Sequence, residues 1–254
     1  FMPMIDQNKM TARRAPWLLL GSALALKLRL TAMGKSVRLL VDGEVPSNLA
    51  FLSRMGAVEG PEAEAGAADL ALAVDVSCKE RLGACAPAFL AAARTAVVDH
   101  HSSNPGFAQI NWVDGDAPAT AVLVYRLLEA MGGALSREEA VCLYTGLSTD
   151  TGNFIYESTS AESFRMMAAL MEAGLPLAEY ARRLFRVKEL PFVRLLGETL
   201  PSLHLICGGK VAGITLTAAQ MRQAGAKAGH TDGLVDYAID LEGVAMAYFA
   251  RETE

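Results

Sequence analysis

Val97-Val98-Asp99-His100-His101-Ser102-Ser103-Asn104 is a short apolar run that ends abruptly in one carboxylate and two adjacent imidazoles. Residues 95–98 are apolar or β-branched at every position, as a strand buried on both faces requires. Two of the four histidines of the chain stand just past its end. In extended backbone neighbouring side chains point to opposite sides, so His100 and His101 are expected to face different partners. One imidazole can bind a metal through a neutral ring nitrogen while the other contacts an oxyanion, with Asp99 fixing a tautomer from behind. A polar loop after a buried strand is the alternative for any single histidine. One Asp and two His clustered at a strand terminus favour metal chemistry.

Outward from this point, residues 70–76 read as a second strand, apolar except at Asp75, and residues 37–41 as a third, closed by Asp42-Gly43. Helices are expected over residues 18–33, stopped by Gly34, over 46–54, and over 79–94. Strands that alternate with helices predict an α/β fold, a parallel sheet with helices on both faces. In such sheets the ligand crevice lies beyond the strand C-termini, where Asp75 and Asp99-His100-His101 both fall. Downstream, helices are expected over 119–131, with Gly132-Gly133 as terminator, and over 136–147, opened by a Ser136 to Glu139 capping box. The second runs into Gly146-Leu147-Ser148-Thr149-Asp150-Thr151-Gly152, a small-residue polar segment whose only charge is Asp150. Thr159-Ser160-Ala161-Glu162 caps a further helix to Ala173.

The pattern changes near residue 187. Residues 1–187 form one predicted domain and 188–202 a linker helix. Residues 203–254 form a smaller α/β domain with a hairpin (203–206 and 211–216 around Gly208-Gly209), a helix over 232–240 and a strand over 244–250. About fifty residues are few for an independent core, so this second domain reads as truncated.

Hydrophobic residues make up 52% of the 254, yet no apolar run approaches the roughly 20 residues of a membrane span, so no membrane partner is expected. A net charge of −5 argues against long duplex nucleic acid and leaves short or mononucleotide ligands open. Four scattered cysteines without a CxxC pair, and no signal-peptide pattern, read as reduced thiols of a cytoplasmic protein.

Asp75, residues 98–104, Asn111-Trp112-Val113-Asp114 and Gly146-Leu147-Ser148-Thr149-Asp150-Thr151-Gly152-Asn153-Phe154 together resemble the DHH phosphoesterases, in particular the bacterial nanoRNase and pAp phosphatase group. The resemblance implies a parallel α/β domain joined to a smaller DHH-associated domain. It implies two Mn²⁺ (or Mg²⁺) ions that activate a water and neutralise phosphoryl oxygens. The substrates implied are short oligoribonucleotides or 3′-phosphoadenosine 5′-phosphate (pAp), with a homodimer as a possible assembly. Asp75 would bridge the two metals, His100 and Asp150 would hold the second, His101 would face the phosphate and Asp99 would orient a histidine. Asn104 and Arg81 would contact substrate phosphate or support the site. Carboxylate-rich ligation with some imidazole suits Mn²⁺.

Two departures accompany the likeness. Gly21-Ser22-Ala23-Leu24-Ala25-Leu26 matches the end of the family's first motif, but Ala12, Pro16 and Leu18 stand where its His, Asp and Asp ligands belong. The first metal site is therefore expected to be defective. A GC-rich coding segment for such a motif, read one base out of frame, yields a string close to Ala12–Gly21, and resequencing the gene there tests that origin. The glycine-rich, His-containing segment that closes the family's second domain has no counterpart before Glu254; His204 and His230 read as surface or packing residues. A catalytically impaired nucleotide-binding homologue is thus the alternative function, and a cyclic-dinucleotide phosphodiesterase or pyrophosphatase relative a third. Asn111-Trp112-Val113-Asp114 favours the nanoRNase group.

Overall fold

Alternate side chains of the two strands that lead to Asp75 and Asp99 go opposite ways, and that sets the layers. The computed structural model describes residues 20–43, 45–61 and 68–252. In it β1 (Ala71–Val74), β2 (Thr95–Asp99) and β3 (Ile110–Val113) form a parallel sheet in that order. Val74 and Val98 enter a large core built with α1 (Leu20–Ala32), while their neighbours Ala73 and Val97 meet Leu82 and, from α2 (Ala86–Ala91), Phe89 on the opposite face. Both faces are covered, which is why the strands read as continuous apolar runs. The large core is completed by α3 (Thr120–Met131), α4 (Arg137–Asp150), α5 (Ala161–Glu172) and residues packed from α6 (Leu177–Ala181).

Several boundaries differ from the sequence reading. Residues 37–41 make one isolated bridge, Leu40 to Glu59, rather than a strand, and Pro61 two residues on has no N–H with which to extend it. The helix expected over 46–54 is two short 3₁₀ turns, Ser47–Leu49 and Leu52–Arg54. That expected over 79–94 splits into a 3₁₀ segment, Lys79–Cys85, and α2. Gly83 interrupts the segment at φ 53°, ψ −134°, where a Cβ would collide with the Asp42 carboxylate. The strand β3 was not foreseen, and α4 continues through the small-residue segment as far as Asp150.

Gly146 is helical because it is a packing residue. A Cβ on it would stand 2.7 Å from Ser22 Oγ, and a Cβ on Gly21 would stand 2.8 Å from Gly146 N and run into the Cys142 carbonyl. The α1 and α4 backbones therefore touch through two facing glycines. Gly21→Ala gains at most about 1 kcal/mol of helix propensity but overpacks a rigid contact, at about 1–3 kcal/mol. We expect a net loss of stability by urea unfolding; a raised midpoint would contradict the contact.

Arg29 of α1 is buried and uses all five guanidinium hydrogens. Nε and Nη2 donate to Glu139 Oε1 and Oε2 (2.7 and 2.9 Å), Nη1 to the carbonyls of Leu128 (3.1 Å) and Gly132, and Nη2 also to that of Ala134 (3.3 Å). It thereby satisfies carbonyls at the end of α3 while gripping the Glu139 that closes the Ser136 capping box of α4.

By chain contacts the molecule divides after Phe185. The second unit holds a mixed sheet in which β4 (His204–Ile206) is antiparallel and β6 (Met246–Arg251) parallel to the central β5 (Val211–Leu216). Ala212, Ile214 and Leu216 of β5 are buried with residues of α7 (Leu190–Thr199), α8 (Ala218–Ala224) and α9 (Asp236–Ile239). The helix expected over 232–240 is confined to α9. Among the described residues no helix is long and apolar enough to cross a membrane, and none of the four cysteines forms a disulfide.

Candidate metal centre

β1 stops one residue short of Asp75, whose N–H still donates to Val98 O (2.8 Å) while its φ of 58° turns the chain past the sheet edge. The carboxylate is buried, and its Oδ1 accepts from the hydroxyl of Thr120, the first residue of α3, at 2.7 Å. Asp99 closes β2 and is fully buried. The next two residues lie outside the strand, so the alternation that would send their side chains apart no longer applies. The imidazoles of His100 and His101 come together edge to face, centroids 4.7 Å apart, and each brings a ring nitrogen to 3.6 Å from Asp75 Oδ1. The expectation that they face different sides is thus corrected by where the strand ends.

Their second ring contacts still give them different chemistry. His100 Nδ1 lies 3.3 Å from Ala117 O, which can only accept, so Nδ1 carries a proton and in the neutral imidazole Nε2 holds the lone pair. That lone pair faces Asp75 Oδ1 at 3.6 Å and Asp150 Oδ2 at 4.0 Å. These separations exceed a hydrogen bond. They match two ligands of one cation, which stand about 3.0–4.2 Å apart when each bond is near 2.1 Å. His101 Nδ1 instead donates to Asp99 Oδ1 at 2.7 Å. Asp99 Oδ2 accepts from Asn104 Nδ2 (2.7 Å), which also donates to Val76 O (3.0 Å), while Asn104 Oδ1 accepts from Gly106 N (2.8 Å). The Asn104 amide is directed into the site's own scaffold. Arg81 is exposed on the 3₁₀ segment, with its charge close enough to oppose protonation of His101.

Electrostatics sharpen the division. Burial pushes the Asp75 carboxyl above its ordinary range, against the Thr120 hydrogen bond and the two histidines, and the Asp99 charge adds to the rise. A buried carboxylate in this state is relieved by a cation. Burial also acts to raise Asp99, but hydrogen bonds from His101 and Asn104 outweigh it and hold the carboxyl below its usual value. The Asp99 hydrogen bond raises His101 in turn, against burial and Arg81. With Nδ1 committed to Asp99, His101 has Nε2 as its remaining ring nitrogen, a donor to an anionic oxygen when protonated, whereas a neutral His100 held at Nδ1 by Ala117 offers its Nε2 lone pair. Asp75, His100 and His101 place their ligating atoms within 4.8 Å of one another and can hold a metal ion.

Asp150 is the last residue of α4, and the chain beyond it is strained. Gly152, Asn153 and Phe154 adopt φ of 57°, 58° and 70° in succession. A left-handed Phe costs on the order of 1–2 kcal/mol, and Asn less. The turn is held by Asn153 N donating to Ser148 O (2.6 Å) and by Thr151 Oγ1, which donates to Leu147 O (2.7 Å) and accepts from Phe154 N (3.2 Å). The Tyr156 ring lies over Gly152 so closely that a Cβ would stand within 2.7 Å of it. The small-residue signal at 146–152 thus combines helix packing at Gly146 with a forced turn at Gly152.

Sequence reasoning passed over Thr120 and the Ala117 carbonyl. A lone hydroxyl opening an otherwise apolar helix was a usable sign for Thr120; a backbone carbonyl leaves none.

Residues 20–147 match the DHH family, N-terminal domain. The bifunctional oligoribonuclease and PAP phosphatase NrnA of Thermus thermophilus is 31% identical over 92% of this chain and 69% of its own length. NrnA of Bacillus subtilis is 24% identical over 84% of the chain and 67% of its own length. Among solved structures, an exopolyphosphatase-related protein from Bacteroides fragilis superposes with a TM-score of 0.81 at 24% identity, over 92% of this chain and 72% of that one, a likeness of fold.

Proposed function

We propose that this chain, which belongs to the DHH family, is a metal-dependent phosphoesterase acting on short oligoribonucleotides and on pAp. The observation that carries the reading is the convergence of two imidazole nitrogens on one buried carboxylate oxygen, Asp75 Oδ1, at the strand ends. Asp75 would be shared between two Mn²⁺ or Mg²⁺ ions, and His100 and Asp150 would hold the second of them. A bound divalent ion supplies a water of lowered pKa and neutralises charge on phosphoryl oxygens. The chain's own part is to fix, through Ala117, the His100 tautomer whose Nε2 can ligate, and to hold His101, through Asp99, for contact with the phosphate. Asn104 locks the Asp99 carboxylate, and Arg81 meets the substrate's negative charge at the rim. Residues 188–202 serve as connector and 203–254 as part of a DHH-associated substrate-binding domain. Four cysteines without a disulfide among them favour a cytoplasmic setting.

Ala12, Pro16 and Leu18, the positions where the first motif departs, lie outside the described residues. None has a side chain that can ligate an ion, so of the ligands the family resemblance implies for the first ion Asp75 alone is present. That observation favours the second reading, a nucleotide-binding homologue of low turnover. Calorimetric titration with Mn²⁺, followed by assay of phosphate release from pAp and of dinucleotide cleavage, decides between them. Binding that is lost in His100→Ala, together with turnover of either substrate, is the expected result. Binding without turnover, or no binding, removes the metal-dependent phosphoesterase and leaves the impaired nucleotide-binding homologue.

A further inference from the structure

The turn after β3 is more firmly built than a connecting loop needs. Asp114 continues the sheet by donating its N–H to Asp99 O (3.1 Å), and its own carbonyl accepts from Ala117 N (3.2 Å). Its carboxylate is divided. Oδ1 accepts from Asp116 N (3.1 Å), closing the turn on itself, and Oδ2 accepts from Arg126 Nη1 (3.0 Å). Arg126 projects from α3, and its other edge forms a two-pronged pair with Glu162 of α5, Nε to Oε1 at 2.8 Å and Nη2 to Oε2 at 2.7 Å. The turn also presses on the histidine segment, since a Cβ on Gly115 would stand 3.0 Å from Ser102 Cβ. Its last carbonyl, Ala117 O, is the acceptor for His100 Nδ1.

We infer that Arg126 is a positioning residue for the metal centre: through Asp114 it fixes the turn whose Ala117 carbonyl sets the tautomer and direction of His100. The inference rests on the proposed role of His100 as a ligand. Arg126, Asp114 and Glu162 are each about one-third exposed, and ion pairs at that exposure contribute little to folding. A planar fork that takes two carboxylates at once is instead a device for direction, which a lysine ammonium cannot reproduce. Partners that orient a metal-binding histidine from behind typically change metal affinity by about 10–100-fold when removed.

The test uses the full chain with Arg126→Ala, Arg126→Lys and Glu162→Gln. The His100 tautomer is read from long-range ¹H–¹⁵N spectra of the imidazoles in metal-free protein. Mn²⁺ affinity is read by electron paramagnetic resonance, and stability by thermal unfolding. The parent chain should show the Nδ1–H form at His100. Arg126→Ala should mix the tautomers and weaken Mn²⁺ binding about 10–100-fold while moving Tm by no more than about 3 °C. Arg126→Lys should fall between, and Glu162→Gln should shift both readouts the same way by less. An unchanged tautomer in Arg126→Ala overturns the inference, as does a fall in Tm unaccompanied by tautomer mixing. If Arg126→Ala does not fold, unaltered tautomers in the other two variants overturn it equally. Should the parent chain bind no Mn²⁺, the metal reading fails, but the tautomer comparison still decides the role of Arg126.

Discussion

Asp75→Asn is expected to abolish Mn²⁺ binding and to lower phosphoesterase turnover by about 10³-fold or more, while making the metal-free protein more stable at neutral pH. The first part follows from the position of Asp75 Oδ1, which faces both imidazoles. Cation stabilisation of phosphoryl charge supplies several kcal/mol, at about 1.4 kcal/mol per tenfold in rate. The second part follows from burial, which raises the folded-state pKa of Asp75 above its unfolded value. The folded protein then binds this proton more tightly than the unfolded chain does. Stability is therefore highest below the ordinary carboxylate range and falls as pH rises through the folded pKa. An amide keeps the acceptor for Thr120 and removes the buried charge. In chelator, the variant's advantage in Tm should widen as pH rises from the carboxylate range toward neutrality. A less stable variant at neutral pH, or one that still binds Mn²⁺, would count against the site.

Glu139→Ala should be the most damaging substitution away from the site, costing about 3–5 kcal/mol, because it strands a buried guanidinium whose remaining partners are neutral carbonyls. The double change Arg29→Met with Glu139→Leu should cost less than Glu139→Ala alone, since neither charge is then left unpaired. Burial acts to raise Glu139, but the Arg29 and Ser136 hydrogen bonds prevail and hold its carboxyl low. Its stabilisation is thus complete above the unfolded carboxylate pKa and is lost as pH falls through the lower folded value. Urea unfolding of the parent and of Glu139→Gln across that acid range should converge. A loss below about 1 kcal/mol in Glu139→Ala at neutral pH would mean that water reaches Arg29.

Much of this was legible along the chain because strand burial and helix capping are written in local periodicity. Residues 71–74 and 95–99 alternate into two covered faces, and Ser136 with Glu139 announces the start of α4. Local pattern misled where a residue's role is set by a distant partner. Residues 37–41 have strand composition but form only an isolated backbone bridge, Leu40 to Glu59, and Gly146 looks like loop until Ser22 of α1 is seen against it. Gly83 and Pro87 divide a run that composition alone would continue as helix.

The candidate ligands divide the same way. That Asp75, His100 and His101 are residues to consider followed from their chemistry and their places at strand ends, which are local properties, and Asp150 joined them through the family resemblance. That His100 and His101 share one carboxylate oxygen, while Ala117 holds the Nδ1 of one and Asp99 the Nδ1 of the other, came only from folding. Thr120 reaches Asp75 across 45 residues, Ala117 reaches His100 across 17, and Arg29 reaches Glu139 across 110. Such contacts depend on where the strands and helices come to rest, and a hydrogen bond of about three ångströms carries no mark in the sequence between its ends.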